Sequence, residues 1–85
     1  MSRLDKQKNR LKKLPKDYTY TEAKTLLSQL GYQEFTKGKT SGLRVKFYRA
    51  LDQSVILLHK PHPSDIMSVA SVKDIVVQLN RTGDL

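Results

Sequence analysis

Thr19-Tyr20-Thr21-Glu22 has the form of a capping box: a threonine at the helix N-cap and, three residues on, a glutamate able to reach back to the threonine's own N–H. Behind it Ala23, Leu26, Leu27 and Leu30 recur at i, i+3, i+4 and i+7, and Gly31 stands where a helix ends in a left-handed residue. Start signal, apolar stripe and stop signal agree on a helix over Tyr20 to Leu30. The rest of the chain has to cover that stripe.

After Gly31 the period changes. Tyr32 to Thr36 is a first short extended stretch, and Lys37-Gly38-Lys39-Thr40-Ser41-Gly42 reads as a flexible turn. In the second stretch Leu43, Val45 and Phe47 point one way while Arg44, Lys46 and Tyr48 point the other, the alternation of a half-buried strand. Ala50-Leu51-Asp52-Gln53 is the next turn, and Ser54 to Leu58 the third strand, apolar on both faces. Packing under a helix accounts for one of those faces; the other calls for a second layer or a partner protein. Beyond the turn at Ser64-Asp65, Ser68 or Ser71 caps a last helix over about Ala70 to Asn80, with Val72, Ile75, Val76 and Leu79 inward and Thr82-Gly83-Asp84 as its stop. The order helix, strand, strand, strand, helix predicts a small α+β domain, a three-stranded antiparallel sheet with both helices on one face.

Eighty-five residues suffice for one such domain and leave its core small. Of the net charge of +8, six units fall within residues 1–16, where Arg3, Lys6, Lys8, Arg10, Lys12, Lys13 and Lys16 face Asp5 alone. Residues 1–16 therefore read as a basic N-terminal arm and residues 17–85 as the domain. Leu4, Leu11 and Leu14 give the arm a thin helical stripe before Pro15. Such a charge run is most often simply solvated; contact with nucleic-acid phosphates is the next reading, and a membrane-surface helix ranks below it for want of apolar area. The absence of cysteine excludes disulfides, thiolate zinc sites and a thiol nucleophile, and suits a reducing cytoplasm. No apolar run is long enough for a signal peptide or a membrane span.

Both histidines and two of the three prolines lie in Leu57-Leu58-His59-Lys60-Pro61-His62-Pro63, where the third strand ends. The prolines stiffen this exit. The bland reading is a strand end with two solvated imidazoles; the chemical one uses histidine's ordinary pKa, about 6.5, for proton transfer near neutrality. His59-x-x-His62-x-x-Asp65 is a poor metal set, because Pro61 and Pro63 forbid the helix that would put these side chains on one face, so neither metal nor cofactor is expected. The 37–42 turn lacks P-loop spacing. What remains is imidazoles beside cations: Arg44 and Lys46 on one strand, His59 and Lys60 leaving its neighbour. Metal-free RNA cleavage needs a base for the 2′-OH or for water, an acid for the leaving oxygen, and cations for the developing phosphorane charge. For Arg44 and Lys46 an ordinary solvated strand face is the commoner reading.

From Lys16 to Leu85 the chain resembles the HicA family of bacterial toxins, small ribonucleases of type II toxin-antitoxin modules, and within it the longer branch with a basic leader. The resemblance rests on Leu26-Leu27-Ser28-Gln29-Leu30-Gly31-Tyr32, Ser41-Gly42-Leu43-Arg44-Val45-Lys46-Phe47, His59-Lys60-Pro61-His62-Pro63, and the closing helix through Ile75 and Leu79. It implies an α-β-β-β-α fold similar to double-stranded-RNA-binding domains, metal-independent cleavage of mRNA, and a hetero-oligomer with a HicB antitoxin. That partner would cover the open face of the third strand. Shorter members carry a catalytic Gly-Ser-His at the start of the second strand, where this chain has Gly42-Leu43-Arg44. The resemblance therefore assigns proton transfer to His59 and His62, phosphate stabilisation to Arg44 and Lys60, and RNA grip to Lys46 and the arm.

Overall fold

A computed structural model describes residues 3–35, 44–61 and 64–85. The turn expected over 37–42, Leu43 and the His62-Pro63 step lie outside these residues. Three helices, α1 (Arg3–Lys12), α2 (Tyr20–Gln29) and α3 (Val69–Arg81), accompany three strands, β1 (Gln33–Glu34), β2 (Arg44–Arg49) and β3 (Ser54–His59). The strands form one antiparallel sheet in the order β1-β2-β3, the α+β arrangement anticipated from the pattern, with a further helix in front.

Helix α2 begins as its sequence requires. The Thr19 hydroxyl accepts from Glu22 N–H at 3.1 Å, and the Glu22 carboxylate accepts from Thr19 N–H at 3.3 Å, so both halves of the capping box are made. It ends at Gly31, whose φ of +96° is cheap only for glycine. A Cβ at Gly31 would also come within 3.3 Å of the Arg49 side chain. Ser68, rather than Ser71, is the N-cap of α3, its hydroxyl accepting from Ser71 N–H at 3.1 Å.

One face of the sheet is buried. Val45 and Phe47 of β2 and Ile56 and Leu58 of β3 meet Ala23, Leu26 and Leu27 of α2 and Val72, Ile75 and Leu79 of α3. The N-terminal leucine stripe joins this core: Leu11 is fully buried, and Leu4 and Leu14 pack against the cluster. Burying one leucine contributes about 1.5–3 kcal/mol, so α1 is held by packing despite its charge. Arg10 adds a polar clamp between α1 and the start of α2, donating to both Glu22 carboxylate oxygens and to Asp17 at 3.2 Å.

The strand exit is tied back to α2. Tyr20 N–H donates to the Asp65 carbonyl and Met67 N–H to that of Tyr18, each at 2.7 Å, around a bridge between Thr19 and Ile66. The chain after His59 is thereby returned to the helix layer. Among the described residues, none covers the opposite sheet face.

Candidate nucleic-acid interface

The alternation that buries Val45, Phe47, Ile56 and Leu58 presents their neighbours on the other side. Arg44 is paired with His59, Lys46 with Leu57, and Tyr48 with Val55, while Tyr48 is also the β1 partner of Gln33. Phe35 extends the β1 edge, its N–H donating to the Lys46 carbonyl at 2.6 Å. Arg44, Lys46 and His59 are exposed, and Phe35, Val55 and Leu57 keep 46%, 40% and 57% of their surface accessible, so among the described residues no helix covers this face. The Lys46 ammonium lies 5.8 Å from the centroid of the Phe35 ring, a cation–π distance.

Charge on the face is of one sign. Glu34 has the opposite phase, opposite Phe47, and its carboxylate meets Lys24 of α2 at 3.4 Å on the helix side. Among the described strand residues of the open face there is no carboxylate. Nor is the β3 edge open at its middle. Gln78 of α3 accepts from Leu57 N–H and donates to Leu57 C=O, both at 2.9 Å, which satisfies the groups that an added strand would need. At this level the sheet offers its face, not its edge.

Of the five residues expected in the site, the four that are described divide between two sides. Arg44 and His59 are register partners at one end of the open face, and Lys46 follows two positions along. Lys60 is in phase with Leu58 and turns to the helix layer, its ammonium 5.8 Å from the Tyr20 ring, with Lys24 at 5.9 Å from the same ring. The pairing of Lys60 with Arg44 about one phosphate is therefore not what the fold provides. His62 lies outside the described residues. Asp65, third in the His-x-x-His-x-x-Asp series, accepts from Thr21 N–H at 3.1 Å and so serves the α2 N-terminus. Among the described residues, no three His, Asp or Glu side chains are grouped to hold a metal.

Tyr20 is nearly inaccessible, and among the described residues its hydroxyl makes no hydrogen bond. Burial pushes this phenol up to about 12, with the charges of Glu34 and Asp65 acting in the same direction. It is a neutral group at neutral pH.

Two residues of the face went unremarked as site residues in the sequence. Tyr48 was legible as the next outward position after Arg44 and Lys46, but tyrosine is ordinary in strands. Phe35 carried no such signal, because β1 is too short to show a phase.

Compared with protein families, curated proteins and solved structures, the chain matches none. Among the described residues no helix is long and apolar enough to cross a membrane. The functional reading rests on the residues themselves.

Proposed function

We propose that this chain is a metal-independent endoribonuclease that cleaves mRNA in the cytoplasm, a toxin of the HicA type held inactive in a hetero-oligomer with a HicB antitoxin. The observation that supports it is the pairing of Arg44 with His59 on a sheet face that, among the described residues, is uncovered and whose strand residues include no carboxylate. His59 and His62 share the two proton transfers: one takes the proton of the attacking 2′-OH or water, the other protonates the leaving oxygen as its bond to phosphorus breaks. Arg44, a planar fork of donors, stabilises the phosphorane between them. Lys46 grips the adjoining phosphate, and the exposed cations of α1 add sequence-blind affinity. Lys60, beside Tyr20 and Lys24, meets RNA leaving the site rather than the reacting phosphate. Leu57 and Val55 are the apolar surface that the antitoxin covers.

The second reading is an RNA-binding module without chemistry, favoured by the arginine that stands where shorter HicA members have their histidine. One assay separates the two. Purified chain incubated with mixed mRNA in EDTA is expected to cleave, and His59→Ala to lower the rate at least about 100-fold, the usual contribution of a proton-transfer group. Arg44→Ala and His62→Ala are expected to be similarly impaired while remaining folded by circular dichroism. RNA that stays intact with the wild-type chain, yet is bound, removes the nuclease and leaves the binding module.

A further inference from the structure

The cations explain a grip on phosphate but not the aromatic and apolar groups interleaved with them. Phe35, Lys46 and Tyr48 line an open hollow of about 170 Å³ on the uncovered face. An apolar cavity of about 150 Å³ is enough to hold a benzene ring. A broader hollow of about 450 Å³ adjoins it, sharing Phe35 and Tyr48 and bordered by Gln33 and by Leu51, which is almost fully exposed. We infer that Phe35 and Tyr48 form a stacking platform for unpaired bases of single-stranded RNA, placed along β2 from the Arg44–His59 pair; this deepens the ribonuclease reading and rests on it for the identity of the ligand.

Position, charge and chemistry each select this occupant. At about 3.3 Å per strand residue, Tyr48 lies about 13 Å along β2 from Arg44, with Lys46 midway. A short strand of RNA laid over β2 thus meets an imidazole and a guanidinium at one end, an ammonium beside the Phe35 ring in the middle, and the Tyr48 ring at the other. Every base offers a π-face, so stacking tolerates sequence, and the cation between supplies the backbone charge. Glu34, the nearest described carboxylate in β1, is turned away towards Lys24, so the face attracts an anion without local opposition. A duplex keeps its bases stacked on one another and gains little from such rings. The Gln78 side chain blocks strand addition at Leu57, which disfavours an extended peptide paired to the β3 edge at this level.

The test is binding of a short 2′-O-methyl oligonucleotide carrying 2-aminopurine, which cannot be cut through its 2′-oxygen, so that binding is read apart from cleavage. Phe35→Ala and Tyr48→Ala are each expected to weaken binding about tenfold, the loss of one stacked base, and to relieve 2-aminopurine quenching. Neither should change the slope of log affinity against log salt, whereas Lys46→Ala should lower it by about one. Tyr48→Phe keeps the ring and is expected to retain affinity. Affinity and quenching unchanged in folded Phe35→Ala and Tyr48→Ala overturn the platform, even if the wild type cleaves mRNA. Wild-type binding and quenching that are lost in the alanine variants, without cleavage of natural RNA, uphold the platform and remove only the nuclease. No oligonucleotide binding by the wild type overturns the platform too, and assigns the rings to a protein partner.

Discussion

Arg49 is in phase with Val45 and Phe47 and so points into the covered side of β2, where it is only 8% exposed. Its guanidinium donates to Asp52 at 2.7 and 3.0 Å, to Asp84 at 2.8 Å and to the Leu30 carbonyl at 3.0 Å, and lies 4.5 Å from the Tyr32 ring centroid. One side chain thereby joins the end of α2, the β2–β3 turn and the residues after α3. Its phase was readable from the sequence, but arginine at a strand end argues for solvent, and Asp84 is 35 residues away. No local rule supplies such a partner. Arg49→Ala would leave Asp84 largely buried without its cation, accepting only from Thr82 and Tyr32, and is expected to cost about 3 kcal/mol in urea unfolding. Arg49→Lys should recover little of this, because an ammonium cannot reproduce the fork that meets Asp52 with two nitrogens. Near-wild-type stability in both variants would show that the network is ornamental.

At the level of elements, local signals were sufficient and long-range ones were not. The capping box, Gly31 and the period-two run of β2 are each encoded within a few residues, and each is where the sequence puts it. The open-face placement of Arg44, Lys46 and His59 follows from the same alternation, since a strand has only two sides. The return of Lys60 to Tyr20 depends on the bridge between Thr19 and Ile66, which joins segments far apart in the chain. Helix α1 is the clearest case: its charge suggested a solvated arm, while Leu11 is sealed in the core and Arg10 is spent on Glu22 and Asp17. Leu11→Ala is expected to destabilise the whole domain by about 2–5 kcal/mol. Arg10→Ala should cost only about 1 kcal/mol, since its ion pairs are partly solvated. If Leu11→Ala unfolds at the wild-type urea midpoint, α1 does not belong to the cooperative unit.

For the molecule as a whole, the charged groups set the pH window in which the fold persists. Hydrogen bonds from Arg49 hold the Asp52 carboxyl well below its usual range, and that from Arg10 lowers Glu22. At Asp84 burial pushes the carboxyl up, but donors from Arg49, Thr82 and Tyr32 together outweigh it and the net direction is down. A carboxyl whose folded pKa lies below its unfolded value of about 4 stabilises the fold above that value, and the contribution is lost as pH falls through the folded one. Acid should therefore unfold the chain, and protonated carboxylates add to a net charge already at +8. The alkaline side has the opposite sign: burial, aided by the Glu22 charge, raises the Tyr18 phenol to about 12, and burial raises that of Tyr20 to about the same value. Their contribution is present below the unfolded value of about 10 and is lost as pH rises from there through 12. The melting temperature is accordingly expected to be level between about pH 5 and 9 and to fall on both sides. Asp84→Asn should be less stable at pH 7 and have a shallower acid limb. A wild-type melting temperature that rises from pH 7 to pH 3 would mean that relief of carboxylate burial, rather than loss of the Arg49 and Arg10 pairs, governs this fold in acid.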